Sequence, residues 1–529
     1  MPSMQRRNLY ANPAGKFLHG VILDVCRHFG SKLALVDTGC NRRISYAEYG
    51  DLVERAACGF VAAGIRPGEF IALYLPNCWE FCVAFHAATL AAAVPTPLNP
   101  SYREREVRYQ LENSGAALLV ADPALIKDTD LSALPSLRRL IVTGETAPAA
   151  DLFANLLVPS SATLPSALAA PQQTLAALPY SSGTTGLPKG VMLTHANVVT
   201  NAYQCVPAGE PGTYGPAEIV LCFLPLYHIY GLNVVLNPAL MLGSTIVLMP
   251  RYDTARALEL IVKEGVTMVP LVPPVMNAFC LAAEKGVFPR QHRLRSVMSG
   301  AAPLAAELPR RFTNLTGIPA MQGYGMTEAS PVTHLGTLDP EFYRPESIGF
   351  PVALTECRLV DESGNDVAPA VDGSVSGELL IRGPQIMLGY WQSPQATAEV
   401  LRQGWYWSGD IARRDAEGFY FIVDRRKEMI KYKGFPIAPA DVESVLLEHP
   451  AVRDCGVIGR PDSEAGELPC AFIILREGQD SSAKMQAELC TYVAERLTPY
   501  KQPREVHFVE AIPRNPSGKV LRRELRKLL

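Results

Sequence analysis

A chain of 529 residues, 48% hydrophobic and 19% charged, is too long for a single hydrophobic core and too apolar to remain unfolded. Its 49 basic and 52 acidic residues leave a net charge of -3, which excludes the basic footprint of a nucleic-acid binder. Its 12 cysteines, scattered from Cys26 to Cys490 without zinc-ribbon spacing, exclude a disulfide-stapled small fold and suit a reducing compartment.

Residues 1–17 carry basic side chains with no apolar core after them, so no secretory signal is expected. Cys78 and Cys82, four residues apart, share a helix face and read as core filler. The apolar run 81–94 is shorter than the roughly 20 residues of a membrane helix, and 232–249 is broken by Asn237, Pro238 and Gly243. Residues 526–529 do not form a Ser-Lys-Leu peroxisomal address. A cytoplasmic protein without a transmembrane segment is expected.

From 34 to 332, apolar runs at 219–224, 245–249, 268–272 and 295–298 alternate with amphipathic helical stretches. That alternation predicts an α/β fold with mainly parallel sheets. The Ala-, Pro- and Ser-rich segment 147–173 reads as a surface linker leading into a strand at 175–180. Between 347 and 423 short strands with turn signals at 361–366 and 415–418 predict a small β-rich subdomain. The charged run Arg425, Arg426, Lys427, Glu428 marks a hinge near Lys427. It divides an N-terminal core, 1–424, from a mobile α+β domain, 425–529, with a crevice between them as the natural ligand site.

Residues 180–190, YSSGTTGLPKG, follow an apolar strand and read as a phosphate-binding loop. Gly183 and Gly186 free the backbone to point amides inward, while Ser181, Ser182, Thr184, Thr185 and Lys189 supply hydroxyls and a cation. It is not a Walker loop, because Pro188 stands directly before the lysine. The second signal is a further loop, Gly323-Tyr324-Gly325-Met326-Thr327-Glu328, in which tyrosine suits a purine, threonine a phosphate oxygen and glutamate a magnesium ion. His228, following an apolar strand, reads by itself as a satisfied core histidine. Lys519 reads by itself as a solvated lysine in an Asn-Pro-Ser-Gly turn.

These stretches, together with WYWSGD at 405–410, Asp424-Arg425 and PRNPSGK at 513–519, stand in one order along the chain. In that order the sequence resembles the adenylate-forming superfamily of acyl-CoA synthetases, luciferases and peptide-synthetase adenylation domains. It is most similar to the 4-coumarate-CoA ligase-like branch, over about 33–525. The resemblance implies an ATP-dependent carboxylate-CoA ligase with ATP, magnesium and coenzyme A as cofactor and co-substrates. It implies that 181–189 holds the β- and γ-phosphates, and that Ser299, Gly300, Ala301, Ala302 and Pro303 line the adenine pocket with Gly323, Tyr324 and Gly325. Asp410 and Arg425 would bind the ribose, and Thr327 and Glu328 would serve the α-phosphate and magnesium. Lys519 would bridge the carboxylate and the α-phosphate. His228 would lie beside the acyl carboxylate. The hinge at Lys427 would then withdraw Lys519 and bring Lys431, Lys433, Gly434 and Phe435 to the thiol channel.

The same resemblance builds the acyl pocket from Tyr230, Val234, Met298, Ala301, Gly323, Gly325, Pro331 and Val332. All are apolar or small apart from the tyrosine hydroxyl, which suits an aryl, cinnamic-type or medium-chain fatty acid and disfavours a second buried charge. The stretch 229–237 has no aspartate for an amino-acid amine. Two positions depart from the plant 4-coumarate ligase pattern: Met298 stands in place of a lysine and Pro436 in place of a glutamine. Two alternatives stand beside coenzyme A ligation: transfer to an acyl carrier protein, and a silent nucleotide-binding regulator.

Overall fold

The computed structural model describes residues 15–529 apart from 128, 133, 145–150, 160–161, 166–169, 182–187, 207–212, 303, 305–306, 426–427, 434, 463 and 515–518. Its largest sheet has nine strands. From one edge they are Phe350–Pro351, Val332–Leu335, Ala320–Gly325, Ser296–Ser299, Met268–Leu271, Ile219–Cys222, Thr245–Leu248, Leu33–Asp37 and Arg42–Ser45. The middle of this sheet is parallel and its two edges are antiparallel. Met268–Leu271, Ser296–Ser299 and Thr245–Leu248 are buried at every residue, as expected of parallel strands covered on both faces. Leu271 lies opposite Ser299, and Ser299 opposite Gln322, so the carboxyl ends of three strands open side by side. Ligand crevices of open α/β sheets lie outside such ends.

A second, wholly parallel sheet holds Val94–Pro97, Phe70–Tyr74, Leu118–Ala121, Arg139–Val142 and Asp151–Leu152. Helices Tyr46–Ala62 and Trp79–Leu90 belong to the core joining the two sheets, and the second is buried almost all round. The last strand corrects the sequence reading, since 147–173 is not merely a linker. Asp151–Leu152 pairs with Arg139–Val142, and the helical turn Phe153–Leu156 buries Phe153 edge-on to Trp79, ring centroids 5.8 Å apart. Two apolar anchors suffice to pin an otherwise Ala-, Pro- and Ser-rich stretch. The strand expected at 175–180 is also interrupted. It runs over Leu175–Ala177 and resumes at Tyr180–Ser181, because Pro179 has no N–H to give the ladder.

The β-rich region forms a five-stranded antiparallel sheet of Glu356–Val360, Val375–Arg382, Trp405–Arg414, Leu401–Arg402 and Tyr420–Arg425. The turn at Asp361 is closed by its backbone N–H donating to Asn365, and that at Asp415 by its N–H donating to Phe419. The 347–423 segment is nevertheless shared out: Phe350–Pro351 edges the nine-stranded sheet, and Gly389–Tyr390 pairs with Lys189–Thr194.

Beyond it, Ile430–Tyr432, Phe435–Ile437, Val452–Asp462, Gly466–Leu475 and Glu505–Phe508 make a further sheet with helices Pro439–Glu448 and Ala483–Arg496. Residues from Ile430 to Val506 form their own hydrophobic cluster, separate from the one running from Leu18 to Tyr406. The fold is thus α/β with a large N-terminal domain and a smaller C-terminal one. Among the described residues no helix is long and apolar enough to cross a membrane.

Candidate functional site

Ser181 and Lys189 face each other directly across an antiparallel pair, so the two ends of the Ser/Thr/Gly loop are zipped together. Ser182, Gly183, Thr184, Thr185 and Gly186, between them, lie outside the described residues. The Ser181 hydroxyl donates to Glu328 Oε1 at 3.1 Å, and the Tyr390 hydroxyl donates to the same oxygen at 2.9 Å. Lys189 Nζ lies 5.1 Å from the Tyr390 ring centroid. Glu328 is buried on the single turn Thr327–Ala329, where its backbone carbonyl also accepts from Met387. Two hydroxyls thus meet on one oxygen of the same buried carboxylate. Thr327, half-buried, opens the same turn.

Gly323, Tyr324 and Gly325, read as a loop, belong to strand Ala320–Gly325 and pair antiparallel with Val332–Leu335. The approach is tightest at Gly325, where an added Cβ would stand 2.0 Å from the Pro331 carbonyl. Tyr324 donates its hydroxyl to Asp410 Oδ2 at 2.5 Å, while Arg425 Nε lies 3.3 Å from Asp410 Oδ1. Asp410 and Arg425 are opposite partners in the Trp405–Arg414/Tyr420–Arg425 ladder. Asp410 is buried and presents a carboxylate beside a cation, a charge-assisted arrangement suited to vicinal hydroxyls. Behind Tyr324, His334 packs edge-on at 5.8 Å, its imidazole driven down to about 3 by burial and therefore neutral.

Ser299 ends its strand with a buried hydroxyl that has no partner among the described residues, and Gly300 abuts the Tyr230 ring. Ala301 follows at φ 68°, a left-handed conformation unusual for a residue with a Cβ, and Ala302 is half-buried. Pro303 lies outside the described residues.

Lys519 comes from the C-terminal domain to this same charged corner. Burial, then the guanidinium of Arg425, pull its ammonium down to about 8 against the opposing charges of Glu428 and Asp410. Arg522, three residues on, is buried and binds Glu428 at 2.5 Å and Glu443 at 2.7 and 2.9 Å. Lys427 and Gly434 lie outside the described residues, as do the side chains of Phe435 and Pro436. Lys431 and Lys433 are exposed on a hairpin held to Gly466–Leu475 by Lys431 N–H donating to Glu467 and Lys433 N–H to the Ala465 carbonyl.

His228 lines a cavity with Leu224, Pro225, Tyr227, Tyr230, Gly231 and Val272. Its Nδ1 accepts from the Tyr230 backbone N–H at 3.2 Å, and burial brings its pKa down to about 4. A neutral imidazole accepting at Nδ1 carries its proton on Nε2, which is therefore a donor. Tyr230 is fixed by its hydroxyl donating to the Met298 carbonyl at 2.9 Å, and Gly231 is required because a Cβ would meet the Pro225 carbonyl at 2.3 Å. Of the side chains expected around the acid, His228 and Tyr230 line this cavity, and Tyr230, Val234, Met298 and Val332 all belong to the main hydrophobic core. Pro331 follows Ser330 beside the Gly325 turn, its carbonyl accepting from Met326. Leu224, Pro225, Tyr227 and Gly231 adjoin His228 in sequence and were within reach of a local reading, whereas Val272, at the start of a distant helix, and Tyr390, on a distant strand, arrive with no motif to flag them.

Residues 23–391 match the AMP-binding enzyme family, and 441–519 match the AMP-binding enzyme C-terminal domain. A 4-coumarate–CoA ligase 5 of Oryza sativa subsp. japonica is 37% identical over 520 residues, covering 97% of this chain and 94% of the relative. A 4-coumarate–CoA ligase of Pinus taeda is 37% identical over 526 residues, covering 97% and 95%. Among solved structures, an anthranilate CoA ligase in complex with anthranoyl-AMP superposes with a TM-score of 0.88 at 26% identity, covering 98% of each chain. A benzoate CoA ligase from Burkholderia xenovorans LB400 gives 0.85 at 27% identity, covering 97% of this chain and 100% of that one.

Proposed function

This chain belongs to the AMP-binding enzyme family, and from that premise we propose that it is an AMP-forming ligase joining an apolar aryl or cinnamic-type acid to coenzyme A. A carboxylate oxygen attacks the α-phosphorus of ATP, the bond to the β-phosphate oxygen breaks and pyrophosphate leaves. The coenzyme A thiol then attacks the acyl carbonyl, the acyl–oxygen bond to AMP breaks, and the thiol proton passes to solvent.

The observation that carries this reading is the convergence of Lys519 on the Tyr324–Asp410–Arg425 corner. Carboxylate and triphosphate repel each other, so the first step needs positioning and fixed cations more than it needs an enzyme nucleophile. Asp410 and Arg425 hold the ribose, and Tyr324 and the 299–302 backbone enclose the adenine, beside the Ser299 hydroxyl that has no partner among the described residues. Lys519 bridges the incoming carboxylate and the α-phosphate. Ser181 and Lys189 hold the outer phosphates. Glu328, buried and carrying the Ser181 and Tyr390 hydroxyls on Oε1, offers the hard carboxylate oxygen that magnesium prefers, and Thr327 adjoins it. Magnesium bound there neutralises phosphate charge.

His228 donates from Nε2 to the acid oxygen and stays uncharged at neutral pH, so the cavity walls bring no ionised side chain to the acyl chain. That favours an uncharged aromatic body over a dicarboxylate or an amino acid. For the second step the C-terminal domain turns about the segment holding Lys427, withdrawing Lys519 and presenting 431–435 to the thiol. Hinges of this kind gate many multi-step enzymes.

The test is pyrophosphate release by purified protein with ATP and magnesium across benzoic, cinnamic and C4 to C16 acids, each with and without coenzyme A. Turnover that requires coenzyme A and is fastest for an aryl or cinnamic acid is expected. Equal turnover without coenzyme A, or a preference for fatty acids, would contradict the acceptor or the acid respectively.

A further inference from the structure

Helix Pro439–Glu448 is the first helix of the C-terminal domain, and it lacks a cap of its own. Its N-cap residue is Ala438, which offers no side-chain acceptor. The first N–H groups of any helix have no partner within it, and an unmet donor there weakens the helix. Here the Ala440 N–H donates to Asp424 Oδ2 at 3.0 Å.

Asp424 is not part of that domain's sheet. It sits on strand Tyr420–Arg425, opposite Ile411 in the ladder that carries Asp410. The link therefore reaches across the only chain connection between the two bodies, from one residue before Arg425 to one well beyond Glu428. Asp424 is buried; its other oxygen accepts from the Arg425 N–H at 2.6 Å, and the charges of Arg522 and Glu443 face it. Glu443 lies on the capped helix, and Arg522 ties that helix and Glu428 to the turn that follows Lys519.

We propose that Asp424 is a positioning residue that caps helix Pro439–Glu448 from across the hinge and so latches the C-terminal domain in the orientation that presents Lys519 to the acid and ATP. The proposal rests on the two-orientation cycle described above. Rotation about 426–427 carries the helix away while Asp424 stays in its ladder. Each departure then leaves a helix uncapped and a buried carboxylate without one of its donors. Both effects favour the lysine-in orientation before the adenylate forms, and both are relieved only when the domain returns.

The experiment measures the two half-reactions separately, in single turnover, on the full chain. Adenylate formation is followed with an aryl acid and MgATP; thioester formation is followed with supplied aryl-adenylate and coenzyme A. Lys519→Ala serves as the control for the cycle itself. Asp424→Ala is expected to slow adenylate formation by about tenfold, the value of one lost charge-assisted cap, while thioester formation stays unchanged or quickens. Asp424→Asn keeps a carbonyl acceptor without the charge and is expected to fall between the two; it decides the matter if the alanine variant does not fold. Equal losses in both half-reactions would make Asp424 merely structural and overturn the latch, and so would no loss in either. If Lys519→Ala itself fails to separate the half-reactions, the two-orientation cycle is wrong and the latch falls with it. If Lys519→Ala separates them and Asp424→Ala does not, the cycle stands and only the latch fails.

Discussion

Around Asp410 a tyrosine hydroxyl and a guanidinium are fixed on one buried carboxylate by a hydrogen bond and a ladder position, and the charge of an ammonium from another domain bears on it. Around His228 the walls are carbon, and the histidine itself is neutral and held by its own backbone turn. The nucleotide end is thus specified by charge and geometry, and a single deletion there should cost much. The acyl end is specified by volume, and a single change there should redirect more than it destroys.

Lys519→Ala tests the charged end hardest. Loss of a cation placed for the transition state of adenylation is expected to lower that half-reaction by about 10² to 10³-fold. Thioester formation from supplied adenylate should persist. A comparable fall in both steps would remove the contrast between the two orientations.

Asp410→Asn comes next. It keeps the shape but leaves Arg425 without its ionic partner and weakens the acceptor for Tyr324. A charge-assisted contact is worth about 1.5 to 3 kcal/mol, so KM for ATP should rise by about 10- to 100-fold, with KM for the acid little changed. A rise in KM for the acid instead would place Asp410 at the wrong end.

The pH profile separates the ends without mutation. Burial and the Arg425 charge hold the Lys519 ammonium at about 8, well below the ordinary lysine range, so kcat/KM for ATP should fall as pH rises through about 8, where the free enzyme loses this ammonium. The sign for stability is opposite. An unfolded lysine binds more protons than the folded one between about 8 and 10.5, so the folded state is favoured as pH rises across that window. Falling activity there cannot then be blamed on unfolding from this group. Lys519→Arg, charged throughout, should flatten the fall. No limb from His228 should appear near neutrality, since its proton is lost at about 4.

The smallest expected effect lies at the apolar end. Val272→Ala enlarges the cavity wall by two methyl groups, and preference should shift toward bulkier acids by about 1 to 3 kcal/mol while KM for ATP holds. An unchanged acid ranking would take Val272 out of the acyl wall.

What the sequence disclosed follows the same division. Polar donors must stand in a fixed local order to wrap a phosphate or a ribose, so Ser181, Lys189, Tyr324, Glu328, Asp410 and Arg425 announced themselves in short runs, and the structure brings them together in two clusters around Glu328 and Asp410. Apolar walls need only carbon at the right distance. Val272 therefore came from just beyond a separate strand without a signature, and the cavity's lining includes neither Met298 nor Val332. The alternation of apolar runs with helical stretches foretold parallel sheets because doubly covered strands must be apolar throughout. It missed Asp151–Leu152, since a two-residue edge strand carries no periodicity, and it read the Gly323–Gly325 run as a loop although glycines can also line a strand that another backbone approaches closely.

The most direct test of the account traps the intermediate. Protein, an aryl acid and ATP labelled at the α-phosphate are mixed with magnesium but without coenzyme A, quenched, and coenzyme A is then added to a parallel sample. A labelled acyl-adenylate in the first sample, lost in the second as AMP and thioester appear together, is the expected result. Label found only as unreacted ATP with every acid, or thioester formed with no adenylate consumed, would contradict it.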